Sequence, residues 1–94
     1  MFKNISNQIF TDFENTDIQL YPNPTNGWFY ISSGSTDIEV VQVTDILGKT
    51  VYLDENISNT QTEIDLSRNE NGIYLISVFG KENQVFNSKV LLNR

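Results

Sequence analysis

The 94 residues allow one small domain and exclude two separate hydrophobic cores, and a net charge of −6 disfavours a protein that binds nucleic acid. The sequence contains no His and no Cys, which excludes imidazole and thiol catalysis, zinc sites built from those ligands, and disulfides. No His is available to activate the Ser and Thr side chains of this sequence as nucleophiles, so we expect a domain that is not an enzyme. We also expect it to hold no cofactor or metal.

Residues 1–17 differ from the remainder of the chain, because their apolar side chains follow no clear period. We predict a linker or N-terminal extension here, with a short edge strand near Gln8 to Phe13 as the alternative. Met1-Phe2-Lys3-Asn4 does not begin a signal peptide, and no apolar run in the chain reaches the about 20 residues of a membrane-spanning helix. The folded domain is predicted to occupy residues 18–94.

The composition favours an all-β domain. Ala is absent, Ile, Val and Thr together supply 25 residues, and 12 residues are Asn, which is frequent in turns. Short alternating segments bounded by turn residues indicate a sandwich or a barrel. The seven predicted strands are Ile18 to Tyr21, Gly27 to Ser32, Ile38 to Thr44, Lys49 to Asp54, Gln61 to Leu66, Gly72 to Phe79, and Gln84 to Leu92.

Two prolines mark the end of the first strand. Residues before proline adopt extended geometry, so Tyr21 and Asn23 are predicted to lie outside any helix. Pro22 cannot donate to a sheet, so its strand ends there or lies at an edge. Pro24 fits the second position of a type I turn, in which Asn23 would accept a local backbone N–H, and Gly27 can adopt positive φ. The segment is therefore predicted to be a rigid corner.

The second strand leaves open which of its faces is buried. Phe29 and Ile31 share one face, and Trp28 and Tyr30 share the other. If Trp28 and Tyr30 point outward, they form an aromatic platform, which Tyr52 could join. Such a platform would stack on sugar rings, which is the basis of an alternative function as a carbohydrate-binding or adhesion module. The other interpretation is that it packs against a neighbouring domain or against the Phe residues of the linker.

The third strand and the turn after it carry two further signals. The apolar alternation changes parity at Val40-Val41, which predicts a β-bulge there or burial on both faces. The carboxylate of Asp45 can accept hydrogen bonds from the amides of the following turn, and Gly48 can supply the left-handed position that closes a hairpin into Lys49. Asp45 has no partner carboxylate in a catalytic motif, so we predict a structural role.

The segment Ser67-Arg68-Asn69-Glu70-Asn71-Gly72 resembles the start of a calcium loop because polar side chains alternate before a Gly. The position of the bidentate acid would fall on Val78, so a polar loop is the better interpretation. Gly72 and Tyr74 begin the next strand as in a tyrosine corner, in which a Tyr hydroxyl binds upstream backbone. The segment Ile73-Tyr74-Leu75-Ile76 is apolar on both faces, which predicts a central strand buried on both sides.

Four motifs in a fixed order carry a resemblance to a known family. They are Tyr21-Pro22-Asn23-Pro24 with Gly27-Trp28-Phe29-Tyr30-Ile31, then Val41-Gln42-Val43-Thr44-Asp45-Ile46-Leu47-Gly48-Lys49-Thr50-Val51, then Gly72-Ile73-Tyr74-Leu75-Ile76, and finally Lys89-Val90-Leu91-Leu92. The set resembles the type A C-terminal sorting domain of the type IX (Por) secretion system of Bacteroidetes, over residues 18–94. Thr44 departs from the pattern, since the family often has a bulkier residue there.

The resemblance implies a seven-stranded, immunoglobulin-like Greek-key β-sandwich that serves as a secretion signal. It also implies a larger cargo in the same chain, which crosses the periplasm before reaching the outer membrane, the cell surface or the medium. The partners implied are the outer-membrane translocon or shuttle and a sortase that removes the domain and attaches the cargo to the surface. On that basis the chain is a fragment of a longer protein.

The C-terminal part of the sequence, residues 71–94, differs in net charge from the residues before it. Residues 1–70 carry 3 basic and 11 acidic side chains, a net charge of −8, whereas residues 71–94 carry 3 basic and 1 acidic, a net charge of +2. We hypothesise that Gln84 to Arg94, with Lys89 and Arg94 exposed, contacts the export machinery by charge complementarity or by strand addition at an edge. The alternative is an ordinary closing strand.

Overall fold

The structure is a computed structural model, and it describes residues 11–12 and 18–94. This part of the chain contains eight strands and one short 3-10 helix. Their bounds are β1 (Thr11–Asp12), β2 (Gln19–Tyr21), β3 (Trp28–Ser32), β4 (Ile38–Thr44), β5 (Thr50–Asp54), β6 (Gln61–Asp65), β7 (Gly72–Gly80) and β8 (Gln84–Leu92), with the helix at Lys81–Asn83. Each of the seven predicted strands is present as one of β2 to β8, with ends that agree to within one residue.

The predicted N-terminal extension, residues 1–17, lies outside the described residues apart from β1. This two-residue strand pairs in parallel with β8, with Thr11 opposite Gln84 and Asp12 opposite Val85. It falls within the range Gln8 to Phe13, for which the sequence offered a short edge strand as the alternative interpretation.

Two sheets form a β-sandwich, which confirms the all-β prediction. One sheet has five strands in the order β1-β8-β7-β4-β5, and the other has three in the order β2-β3-β6. The chain changes sheet after β1, after β3, after β5 and after β6, so strands that are neighbours in space are often distant in sequence. Hairpins join β2 to β3, β4 to β5 and β7 to β8, all with antiparallel pairing.

The core lies between the two sheets and receives alternate residues from each strand. On β3, Phe29 and Ile31 are fully buried, whereas Trp28 and Tyr30 are exposed, which decides the face that the sequence left open. The buried apolar side chains are Ile18, Phe29, Ile31, Ile38, Val41, Val43, Ile64, Leu66, Tyr74, Ile76, Val78, Val90 and Leu92.

An irregularity in β4 lets the strand bury residues of both parities. Its register against β7 shifts between Ile38 and Val40, close to the predicted bulge at Val40-Val41. Because of this shift, Ile38 points into the core together with Val41 and Val43, and all three are fully buried. The predicted bulge is therefore present, and the alternative of two-sided burial is not needed.

The prediction that Ile73-Tyr74-Leu75-Ile76 is buried on both faces is wrong. Strand β7 does lie in the middle of its sheet, and Tyr74 and Ile76 face the core. However, Ile73 and Leu75 remain 48% and 43% exposed on the opposite face. The three-stranded sheet covers only one side of the five-stranded sheet, so outward residues of β7 stay in contact with solvent.

The tyrosine corner predicted at the start of β7 is formed. The Tyr74 hydroxyl donates a 2.6 Å hydrogen bond to the backbone carbonyl of Glu70, four residues upstream. This contact satisfies the hydroxyl of a side chain that is only 6% exposed, and it fixes the β6–β7 loop against the beginning of β7.

Because only one face of β7 is buried, we predict that substituting two isoleucines of this strand lowers the free energy of unfolding by different amounts. We expect Ile76→Ala to lower the free energy of unfolding by about 2–5 kcal/mol, because it leaves a cavity in the core. Ile73→Ala, on the solvent face of β7, should cost no more than about 1 kcal/mol, the range of β-strand propensities. Urea unfolding of both variants measures the difference, and equal costs would contradict the assignment of the two faces.

Candidate functional site

The side chain of Asn23 holds the end of β8 by two hydrogen bonds. Its Nδ2 donates to the Lys89 carbonyl at 3.0 Å, and its Oδ1 accepts from the Leu91 amide at 3.0 Å. The predicted local role, in which Asn23 accepts a backbone N–H of its own turn, is therefore wrong. The peptide bonds Tyr21–Pro22 and Asn23–Pro24 are both cis, and residues 22–24 form bends that bring the Asn23 amide to a strand 66 residues further along.

Thr25 pairs directly with the backbone of β8, although the sequence analysis did not single it out. Its N–H donates to the Leu91 carbonyl and its own carbonyl accepts from the Asn93 amide, both at 2.9 Å. Its hydroxyl donates to the Trp28 carbonyl and accepts from the Gly27 amide at 3.0 Å. Since Thr25 is only 2% exposed, these contacts satisfy polar groups that water does not reach.

Gly27 closes the same corner onto β6. Its φ of +148° is strained for other residues, and a Cβ here would lie 3.2 Å from the Cα and Cβ of Ser67. The carbonyl of Gly27 accepts a 2.7 Å hydrogen bond from the Leu66 amide. Just beyond, hydrogen bonds from the Ser67 side chain and amide lower the pKa of Asp65. The corner thus joins β8 to the end of β6.

The C-terminus is held from a second direction by the β6–β7 loop. The Arg94 amide donates to Oδ1 of Asn71 at 3.0 Å, and its guanidinium donates to the carbonyl of Asn69. We call the contacts of Asn23, Thr25, Asn69 and Asn71 with residues 89–94 the β8 anchor. The signal for Asn69 and Asn71 in the sequence was only their position in a polar loop.

The turn between β4 and β5 has the geometry that the sequence predicts. Oδ1 of Asp45 accepts from the amides of Leu47 and Lys49, both at 2.9 Å, and the Gly48 amide donates to the Asp45 carbonyl at 3.0 Å. Gly48 has φ of +89°. The turn borders the β6–β7 loop, and a shallow depression between them is lined by Asp45, Ile46, Leu47, Glu70, Asn71, Gly72, Ile73 and Tyr74.

Most of the residues singled out from the sequence therefore meet at one end of the sandwich. Gly72 lies opposite Leu92, and Tyr74 opposite Val90, in the β7–β8 ladder. Val90 faces the core at 1% exposure, whereas Lys89 points to solvent. The predicted residues that lie at this end of the sandwich are Tyr21, Pro22, Asn23, Pro24, Gly27, Asp45, Gly48, Lys49, Gly72, Tyr74, Lys89 and Val90.

The aromatic platform of Trp28 and Tyr30 is present on the three-stranded sheet, with Tyr21 instead of Tyr52 as its third ring. Trp28 and Tyr30 are 46% and 36% exposed, and the ring of Tyr30 lies 5.7 Å from that of Tyr21, tilted by 35°. The expected contribution of Tyr52 is wrong, because β5 belongs to the five-stranded sheet and this side chain packs against the core. Burial, reinforced by the charges of Asp54 and Asp65, raises the pKa of Tyr52.

The outer edge of β8 is already paired at both ends. Strand β1 pairs with Gln84 and Val85, and Thr25 bridges to Leu92 in parallel. A partner strand could not pair along the whole of β8 without displacing these contacts. Strand addition, one of the two modes hypothesised for the last strand, is therefore disfavoured, and charge complementarity through exposed Lys89 and Arg94 is not affected.

Nothing in the described part of the chain provides a metal cluster, since no group of three or more His, Cys, Asp or Glu side chains comes together there. Among the same residues no helix is long and apolar enough to cross a membrane. What residues 18–94 do provide is a last strand whose backbone is held by hydrogen bonds from the corner and the β6–β7 loop.

Removing the Asn23 side chain tests the β8 anchor. We expect Asn23→Ala to lower the free energy of unfolding by about 1–2 kcal/mol, because two hydrogen bonds to β8 are lost. Hydrogen exchange of the Leu91 amide should become faster in this variant. Asn56→Ala, in the exposed β5–β6 loop, is the matched control and should change stability by no more than about 0.5 kcal/mol. Unaltered protection of Leu91 would contradict the anchor.

Two curated relatives share most of this chain. An ulvan lyase of Nonlabens ulvanivorans is 35% identical over 77 residues, which is 81% of this chain and 14% of the relative. An endo-acting ulvan lyase of Formosa agariphila is 27% identical over 77 residues, which is 82% of this chain and 15% of the relative. The chain thus spans about a seventh of the length of these relatives.

A solved structure and a family model complete the comparison. A DUF3244 family protein of Bacteroides vulgatus with an immunoglobulin-like β-sandwich fold superposes with a TM-score of 0.69 at 13% identity, covering 82% of this chain and 85% of that one. This likeness confirms the immunoglobulin-like fold. The model of the secretion system C-terminal sorting domain matches residues 19–93. The chain therefore belongs to the family of C-terminal sorting domains, the signals that direct proteins across the outer membrane through the type IX secretion system.

Proposed function

We propose that residues 18–94 act as a removable, non-enzymatic sorting domain for a larger cargo in the same chain. The observation that carries this proposal is the family match over residues 19–93, nearly the whole folded part. The cargo would enter the periplasm first, and the outer-membrane translocon or shuttle would then recognise the folded domain. A sortase would separate the domain from the cargo at the surface.

The relatives support a cargo elsewhere in the same chain. This chain corresponds to 14% and 15% of their lengths, so most of each relative lies outside the similarity. We propose that residues 1–17 connect the domain to such a cargo, and that the cargo is a secreted enzyme acting on polysaccharide, as the names of both relatives suggest.

The β8 anchor supports recognition of a folded surface. Asn23 and Thr25 fix the backbone of residues 89–93, so the side chains of this stretch have a defined position. A partner that binds an ordered strand avoids the entropy cost of ordering it on binding. We propose that Tyr21 to Gly27, Asp45 to Lys49 and Gly72 to Tyr74 act in sorting mainly by holding this end of the sandwich in shape.

A second candidate function rests on the aromatic platform of Tyr21, Trp28 and Tyr30. Glu63 lies opposite Tyr30, and Asp65 opposite Trp28, in the β3–β6 ladder. Flat aromatic rings beside hydrogen-bonding groups can stack on neutral sugars, whereas the two carboxylates would repel an anionic polysaccharide. The platform thus favours an added role in binding neutral polysaccharide, on the outer face of the three-stranded sheet.

Delivery of a reporter tests the sorting function. We expect a fluorescent protein with a periplasmic export signal, fused before residues 1–94, to reach the cell surface or the medium of a host that has the type IX system. The same fusion ending at residue 17 should stay in the periplasm, as should the complete fusion in a strain without the translocon. Equal delivery with and without residues 18–94 would disprove the function.

Titration of the purified chain with polysaccharides tests the second candidate. Because the sequence contains one Trp, its fluorescence reports on Trp28 alone. We expect a neutral polysaccharide to change the emission, and an anionic one to have a smaller effect at low salt. The variant Tyr30→Ser, which removes the adjoining ring from the same face, should weaken the response. No change with any polysaccharide at millimolar sugar concentration would exclude the platform as a sugar site.

A further inference from the structure

Outward residues of β7 and β8 form an apolar area on the solvent face of the five-stranded sheet. Ile73, Leu75 and Leu91 are 48%, 43% and 39% exposed, and Ile73 lies directly opposite Leu91 in the ladder. Large apolar side chains that share one exposed face contribute little to the core. Contiguous exposed apolar areas of this kind mark interaction sites on soluble domains.

The β4–β5 turn adds two more apolar side chains to the same end. Ile46 and Leu47 are 71% and 89% exposed, and they line the shallow depression that also contains Ile73. Asp45 Oδ1 accepts hydrogen bonds from the amides of Leu47 and Lys49, which fixes the backbone of the turn that presents both exposed side chains. We call Ile46, Leu47, Ile73, Leu75 and Leu91 the apolar end surface.

The apolar end surface lies at one end of the sheet, and the apolar residues at the other end of the same face, Val40, Phe79 and Val85, are half-buried. Further along the same solvent face the outward residues Ser77, Asn87 and Gln42 are polar, and Ser77 and Asn87 are joined by a 3.0 Å hydrogen bond. Leu53, opposite Gln42 on β5, is 51% exposed but lies beyond these polar residues. On this face, the most exposed apolar side chains other than Leu53 therefore lie at the end of the sandwich where the four sequence motifs come together.

The charges around this surface differ in sign from those elsewhere in the domain. Lys89 lies opposite Leu75 in the ladder, and Lys49 closes the turn that carries Leu47. The charged side chains at this end are Lys49, Arg68, Lys89 and Arg94 against Asp45, Asp65 and Glu70. With four basic and three acidic side chains, this end is slightly basic, whereas the whole chain has a net charge of −6.

We propose that the apolar end surface is the docking site for a protein component of the outer-membrane secretion machinery, one that presents an apolar patch bordered by carboxylates. This inference rests on the proposed sorting function and names the surface and the partner chemistry behind it. A second copy of this chain is less suited, because both copies would bring the same net basic border to the contact.

Delivery of the reporter fusion of residues 1–94 provides the test. We expect the double variant Ile73→Thr with Leu91→Thr, and separately the turn variant Leu47→Ser, to reduce surface delivery about tenfold or more, as for residues at the centre of an interface. Lys89→Glu should reduce delivery as well, because it reverses the charge beside the surface. Leu53→Thr is the matched control, equally exposed on the same sheet face, and should be delivered like the wild type.

The fold of each variant is checked by circular dichroism and thermal unfolding of the purified chain, and Leu47→Ser lies in a turn where no strand pairing is at risk. If the wild-type fusion is not delivered, both the sorting function and this docking site are disproved. If the wild type is delivered and the variants are delivered equally, only the docking site is disproved. Equal loss in Leu53→Thr would also disprove it.

Two binding measurements separate the other occupants. Sedimentation that shows a dimer of the purified chain, lost in the Ile73→Thr, Leu91→Thr variant, would assign the surface to a second copy and overturn the proposal. Binding to phosphatidylglycerol vesicles that the same variant abolishes would assign it to lipid and overturn the proposal. If the purified chain is a monomer that does not bind the vesicles, and delivery of the variants is impaired, the results support a protein partner.

Discussion

The hydrogen bonding between the Pro-rich corner and the last strand is the interaction on which the rest of the structure depends. Thr25 exchanges backbone hydrogen bonds with Leu91 and Asn93, while the Asn23 side chain binds the backbone of Lys89 and Leu91. The corner connects β2 to β3 of the three-stranded sheet, and Thr25 in its middle pairs with β8 of the five-stranded sheet. It therefore joins the two sheets at one end and covers an edge that would otherwise be open for pairing.

Strand β8 combines two roles that its alternation keeps apart. Val90 and Leu92 point into the core and stabilise the sandwich, whereas Lys89 and Leu91 point to solvent. Because inward and outward residues alternate, the side chains needed for folding and those available to a partner follow one another along the strand. Deleting the strand removes both functions at once, and only substitutions on its outward face can separate them.

The two solvent faces of the sandwich have different chemistry. The three-stranded sheet presents Tyr21, Trp28 and Tyr30 beside carboxylates, and the five-stranded sheet presents aliphatic side chains beside basic ones. The two faces belong to different sheets and lie on opposite sides of the sandwich. This separation is compatible with a small domain whose work is recognition, and with a family whose members are carried by larger secreted proteins.

The sequence by itself determined the strands, the Asp45 turn, the tyrosine corner and the family, because alternation, turn chemistry and motif order are local properties. Only the tertiary structure decided which face of β3 is buried, that Ile73 and Leu75 remain exposed, and that Asn23 binds a strand 66 residues away. These features depend on which sheet each strand joins and on what covers that sheet. No local pattern carries this information. Thr25, for example, is buried and hydrogen-bonded through its pairing with a segment that is distant in the chain.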